Sequence, residues 1–197
     1  MKLFYTPNSP YARIARVATL ELNLSERIEM QKVTVRDPNS ELLNYNPTGK
    51  VPTLATDDGF ILSDTRIICV YLNQLNPEIK LVADISDGFL QQLEGIASGF
   101  IDGIAVWVRE LRRSSSEQSS RIIELERARA FRILNYFEKI SDQLDQTPKL
   151  AHITLASALG MEIRLPELQW RQNFPQLAQW YDEFSRRESL QVTQPES

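Results

Sequence analysis

Few residues in this chain are of types that do chemistry, and their scarcity decides much. There is one cysteine, Cys69, and one histidine, His152. A disulfide or a thiolate metal cluster needs more than one thiol, and a histidine metal site or a Ser-His-Asp triad would rest on His152 alone. What remains is a set of polar residues at turns and helix starts. Ser9 stands directly before Pro10 and can cap a helix that the proline opens. Lys50-Val51-Pro52 precedes the strand-like run Thr53-Leu54-Ala55-Thr56. Proline gives a sheet no amide donor, so Pro52 belongs at a strand's first residue or at an edge. Ser63-Asp64-Thr65 opens another helical pattern, where free amides favour an anion. Plain capping by the same residues is equally good physics.

The elements that must position these residues fall into two groups. Lys2 to Tyr5 reads as a strand, and Thr6 to Pro10 is turn chemistry. Ile14, Val17, Ala18 and Leu22 recur at helical spacing. Ile28, Met30, Val33 and Val35 predict a second extended stretch, and Glu41 to Tyr45 a short helical turn. A hairpin is expected across Asp57-Asp58-Gly59, then a helix from Asp64 to Leu75 that Asn76-Pro77 ends. Beyond Asp84 strand patterns vanish. Helices are predicted over Gly88–Leu111, Glu117–Gln143, Leu150–Glu162 and Pro175–Arg187, with the polar Arg112–Glu117 segment breaking the first two. The boundary is placed near Pro77–Ile85, giving domains at 1–78 and 86–197, the first mixed α/β and the second all helix.

Composition narrows the partners. The formal net charge of −4 gives no overall pull toward nucleic acid or an anionic membrane. No apolar run reaches the ~18 residues of a membrane span. Met1-Lys2-Leu3-Phe4-Tyr5 enters a strand-like segment without the apolar core of a signal peptide, so a cytoplasmic protein is expected.

The order of these elements, with particular strings in them, resembles the soluble glutathione transferase family in its bacterial serine-type branch. The strings are Ser9-Pro10, Asn46-Pro47-Thr48-Gly49-Lys50-Val51-Pro52-Thr53-Leu54 and Ser63-Asp64-Thr65. Leu150-Ala151-His152-Ile153-Thr154-Leu155-Ala156-Ser157-Ala158-Leu159 and Phe174-Pro175-Gln176-Leu177 through Arg186-Arg187 follow in family order. The resemblance implies a thioredoxin-like βαβ-α-ββα domain followed by an all-helical domain. It implies a cis bond before Pro52, which turns the backbone of Val51 outward to pair with the cysteinyl part of glutathione like an added strand. Lys50 would contact a carboxylate of the tripeptide. Thr65 and the helix amides would take the γ-glutamyl carboxylate, and Asp64 its ammonium.

For the chemical step the resemblance implies that Ser9 stabilises the thiolate of glutathione, through its hydroxyl and through the helix beginning at Pro10. Tyr5 and Asn8 are the competitors for the sulfur, and capping remains the plainer use of Ser9. A family branch with cysteine at this position does thiol exchange, and serine disfavours that. The electrophile would lie between the domains, with Tyr5, Pro7, Tyr11, Trp107 and Arg109 as candidate walls. Trp107 could equally be helix core. Arg109, Arg112 and Arg113 read most simply as a solvated helix end, with an anionic substrate as a second use. Asp102 is placed as a contact for the ligand's ammonium across a dimer interface.

The expected activity is therefore conjugation of glutathione, as cosubstrate and without a metal, to a small hydrophobic electrophile by a homodimer acting in detoxification. The rival is a non-catalytic binding or regulatory member of the fold, similar to stringent-starvation proteins. Two departures stand out. The family commonly has Glu-Ser where this chain has Asp64-Thr65. Lys149 and His152 occupy the positions of a Ser/Thr-x-x-Asp capping box, so that helix start is expected to be weaker by about 1 kcal/mol. Cys69, on a mostly apolar helix, is expected to be a buried small hydrophobe.

Overall fold

The computed structural model of the chain describes residues 1–196. Residue 197, the last of the expected second domain, lies outside them. Four short strands form one mixed sheet in the order β2-β1-β3-β4: β1 Lys2–Tyr5, β2 Glu29–Lys32, β3 Thr53–Ala55 and β4 Ile61–Ser63. Strands β1 and β2 are parallel and are joined through helix α1, Pro10–Glu21; β3 and β4 run antiparallel to their neighbours. Helix α2, Thr65–Leu75, follows β4 and shares one face of the sheet with α1. This is the thioredoxin-like arrangement expected from the sequence.

The register fixes where the loops emerge. Phe4 pairs with Thr53, and Thr53 pairs with Ser63. The C-terminal end of β1, the N-terminal end of β3 and the C-terminal end of β4 are therefore neighbours. Ser9, Val51-Pro52 and Asp64, well separated in the chain, all leave the sheet at the same end.

The remaining helices are α3 Gly88–Leu111, α4 Ser120–Lys139, α5 Leu150–Leu159, α6 Pro175–Phe184 and the single turn α7 Glu188–Gln191. Every residue of α5 is buried, as expected of a helix apolar all round. It packs against α3 on one side and α1 on the other. The apolar interior is consequently continuous from Leu3 and Leu54 of the sheet to Trp170 and Phe184. Polar contacts seal the same junction. The buried Arg13 of α1 donates through Nη2 to the Leu190 carbonyl at 3.0 Å. Arg187 grips Glu21 through two bonds of 2.8 and 2.9 Å.

Element boundaries depart from the sequence pattern where local capping decides. Extended pairing of β2 stops at Lys32, and Val33 instead packs with Phe4 and Leu42 in a small separate cluster. Helix α4 begins at Ser120 rather than Glu117, because Ser119 caps it and the Glu110 carboxylate accepts the Ser119 amide at 2.7 Å. The α5 start lacks a side-chain cap at Lys149, as expected. Two contacts take over part of that role. The Leu150 amide donates to the Leu81 carbonyl at 2.8 Å, and His152 Nδ1 bonds the Thr147 carbonyl at 2.7 Å.

Candidate active site

Ser9 is the N-cap of α1, and its Oγ accepts from the Ala12 amide at 3.2 Å. Capping uses a lone pair. A hydroxyl that accepts one bond still has its proton to give, so capping and donation to a ligand are compatible at this residue. Ser9 is half-buried at the end of the sheet described above, beside the half-buried Pro7 and Asn8. The Asn8 Oδ1 is buried without a partner. Tyr5 closes β1, and the Arg16 guanidinium covers its ring at 4.4 Å.

The Val51–Pro52 peptide bond is cis. Pro52 is buried immediately before β3. The Lys50 carbonyl is occupied by the Thr53 hydroxyl at 2.8 Å and by Asn46 Nδ2 at 3.3 Å. The Lys50 side chain is exposed and makes no salt bridge among the described residues. Beside this bend lies a cavity of about 450 Å³, lined by the segment after β2, including Thr34, Arg36 and Pro38, and by Thr48 and Gly49.

At the third corner Asp64 caps α2. Its Oδ1 accepts from the Arg66 amide at 2.9 Å and from Ile67 at 3.4 Å, with its own φ at 76°. Thr65 is the first helical residue and is half-buried. The side chain of Arg66 crosses to α3, where Nε donates to Glu94 at 2.6 Å and Nη2 to Gln91 at 3.4 Å. Glu94 is 5% exposed, and its other oxygen has no partner.

The Tyr11 hydroxyl of α1 donates to Asp102 Oδ1 of α3 at 2.5 Å and bridges the two helices. Burial first, then this bond and the carboxylate's charge, push the Tyr11 phenol far above its ordinary range, with Arg109 opposing. Tyr11 is thus a neutral phenol whose proton is committed to Asp102. Asp102 is exposed and is engaged through Oδ1 by a tyrosine of its own chain. Arg109 is exposed and donates Nε to the Ala105 carbonyl at 2.9 Å. Trp107 needs correction as a cleft wall. It is 1% exposed in the shared core and has no surface to offer a ligand. Its position on α3 points inward, where the helix-core alternative places it.

Cys69 is fully buried, and burial, with the charges of Glu94 and Asp64, pushes its thiol far above the ordinary value. It is an inert core residue. His152 is also buried. Burial lowers its pKa, opposed by the Thr147 carbonyl and by Asp145 at 3.7 Å. Among the described residues no cluster of three or more His, Cys, Asp or Glu side chains could hold a metal ion. No described helix is long and apolar enough to cross a membrane.

Sequence reasoning missed the Arg66–Glu94 link. A signal for it existed: Glu94 falls on the same helical face as Ala97 and Ile101, a charge where the spacing of α3 calls for an apolar side chain.

A family model described as the N-terminal domain of glutathione S-transferase matches residues 3–80. An Escherichia coli K12 protein named uncharacterized GST-like protein YibF is 28% identical, over 99% of this chain and 98% of its own. A glutathione transferase family member from Pseudomonas fluorescens Pf-5, solved with bound glutathione, is 32% identical with a TM-score of 0.92, covering 100% of this chain and 99% of that one. The same family member from that organism, solved with bound S-(propanoic acid)-glutathione, superposes with a TM-score of 0.89 at 32% identity over the whole of both chains.

Proposed function

Because the chain belongs to the glutathione transferase family, we propose that it joins the thiolate of glutathione to a small electrophile and releases a thioether. The observation that carries this reading is the convergence of Ser9, Val51 and Asp64 at one end of the sheet, fixed by the pairing of Phe4 with Thr53 and of Thr53 with Ser63. Residues 1–78 supply the tripeptide site. The Val51 amide and carbonyl receive the cysteinyl backbone, which lays the sulfur toward the start of α1. There the Ser9 hydroxyl donates its proton to the sulfur, and the positive end of the helix, with the Tyr11 amide in its first turn, adds positive potential. Both favour thiolate over thiol. Lys50 takes a carboxylate of the tripeptide, while Thr65 and the first amides of α2 hold the γ-glutamyl end beside Asp64.

The helical part, 86–197, closes the electrophile side with Arg109, facing Tyr11 of α1, and Pro7 and Tyr5 form the floor. A homodimer would cover the apolar side chains left at the surface of β4 and α2, namely Phe60, Ile61 and Ile67, and those of α4, Ile122 and Leu125. Asn8, in the same turn, is a second contact to the sulfur through its Nδ2 alone, since the buried Oδ1 can only accept.

Retention on immobilised glutathione, followed by a spectrophotometric conjugation assay with 1-chloro-2,4-dinitrobenzene and a panel of other electrophiles, tests the reading. The expected result is binding, turnover, and loss of turnover in Ser9→Ala. Binding without turnover of any electrophile, or no binding at all, would remove the conjugation reading and leave the non-catalytic binding or regulatory alternative.

A further inference from the structure

The strand order β2-β1-β3-β4 gives a ligand at the end of the sheet a direction. Asp64 leaves the sheet after β4, Val51 stands just before β3, and Ser9 follows β1. Strand β2 is parallel to β1, and its ladder runs one bond further, from the Val33 amide to the Tyr5 carbonyl at 2.9 Å. The segment after β2 therefore emerges at this end too. A tripeptide with its γ-glutamyl end at Asp64 and its cysteinyl part on Val51 runs antiparallel to the bend, so its glycyl end passes Lys50 and Gly49 and heads for that segment. The 450 Å³ cavity lies there, lined by Thr34, Arg36 and Pro38 after β2 and by Leu43, Thr48 and Gly49 before Lys50. That volume falls in the range of whole small-molecule sites, more than one glycyl carboxylate fills. Most polar groups in its wall are spent on the fold. Asp37 Oδ1 accepts the Asn39 amide at 2.8 Å, Ser40 Oγ donates to the Thr34 carbonyl at 2.6 Å, and Thr48 Oγ1 donates to Asn46 Oδ1 at 2.8 Å. Arg36 differs. It is exposed, and among the described residues no carboxylate lies within 4.0 Å of it. Its φ of 76° is uncommon for a residue with a side chain.

We infer that the thiol site continues past glutathione, and that this cavity accepts one further residue, linked by an amide bond to the glycyl carboxyl and ending in a carboxylate held by Arg36. The inference rests on the glutathione-binding reading above and widens its ligand class to longer thiol peptides. Extended backbone advances about 3.4 Å per residue, so an added residue carries the terminal carboxylate away from Lys50 and into the cavity. The amide linkage removes the charge that Lys50 takes, and the displaced charge meets Arg36. A guanidinium fork matches a planar carboxylate in two parallel hydrogen bonds. Leu43 and Pro38 offer apolar surface to the carbons of the added residue. The glycyl carboxylate of glutathione shares this chemistry, and the test separates the two sources.

Calorimetry compares S-methylglutathione, its glycyl amide and S-methyl-γ-Glu-Cys-Gly-Gly on the wild type, Thr34→Trp and Arg36→Gln. The methyl cap protects the sulfur and makes the readout independent of turnover. The tetrapeptide is expected to bind at least as tightly as S-methylglutathione, and the amide, which loses the carboxylate without displacing it, about tenfold more weakly than either. Thr34→Trp fills the cavity from an exposed position, and Arg36→Gln removes its charge. Each should raise the Kd of the tetrapeptide relative to that of S-methylglutathione about tenfold. A tetrapeptide that the wild type binds about tenfold more weakly than S-methylglutathione would assign the cavity to the glycyl carboxylate and overturn the inference. A Kd ratio that either variant leaves unmoved would overturn it as well, as would an amide as tight as the tetrapeptide, since no displaced carboxylate is then being held. In those three cases the glutathione reading stands. Absence of binding by all three ligands would remove the glutathione reading and the inference with it.

Discussion

At the scale of single residues, the chemistry depends on how one hydroxyl divides its bonds. Ser9 accepts from Ala12 and keeps its proton for a ligand. On the proposed role of Ser9, Ser9→Ala removes from the thiolate a charge-assisted bond worth about 1.5–3 kcal/mol, so kcat/KM should fall roughly 10- to 100-fold. The pH midpoint of that parameter should move upward, because the thiol holds its proton to higher pH. Asn8→Ala, read in the same profile, should shift the midpoint less; a larger shift than Ser9→Ala would pass the leading role to Asn8. His152 makes a second prediction. Its pKa is lowered in the fold, chiefly by burial, whereas an unfolded histidine takes up its proton near about pH 6.5. The stability it contributes is complete above that pH and is lost as pH falls toward the folded value. Thermal melts between about pH 6.5 and 5 should therefore show the wild type losing Tm more steeply than His152→Gln. The single histidine was legible in the sequence as structural rather than catalytic. Its partner, the Thr147 carbonyl, was not, because that contact depends on how the chain enters α5.

At the scale of elements, close approaches between helices decide which residues can change. Gly160 ends α5, and a β-carbon there would lie 2.5 Å from Arg13 Nη1 and 2.9 Å from the Tyr181 hydroxyl. Arg13 is buried and anchored to Leu190, so it cannot swing away. Gly160→Ala should destabilise by about 1–3 kcal/mol through overpacking, visible as a lower Tm. Gly103 plays the same part on α3, where a β-carbon would come within 2.8 Å of Glu126 Oε2 on α4. Between α2 and α3 the Arg66–Glu94 pair pins the turn that carries Asp64 and Thr65. Glu94→Gln should cost about 1–2 kcal/mol, since half of the Arg66 side chain is in solvent. It should also raise KM for glutathione more than it lowers kcat, a split that kinetics at saturating electrophile can read. The helix starts at Pro10 and Pro175 and the strand start after Pro52 were written in prolines. The start of α4 was not, because several serines there compete to cap and the buried Glu110 selects Ser119.

For the whole molecule, the sheet and the helical part share one apolar interior through α5, and unfolding is expected to be a single cooperative transition. If a second copy covers the exposed apolar side chains of β4 and α4, sedimentation should show a dimer that Phe60→Asp or Leu125→Asp turns into a monomer. A monomer at all concentrations in the wild type would remove that expectation. The sequence by itself determined the element order and the capped helix starts, because each is written in neighbouring residues whose types and spacing constrain the backbone locally; the cis bond and the family it indicated through the resemblance of whole strings. Only the tertiary structure decided that Trp107 is core, that Asp102 holds Tyr11 and that Glu94 meets Arg66. Those outcomes depend on strand register and on the packing of α1 and α3 around α5, which bring together side chains that no local pattern relates.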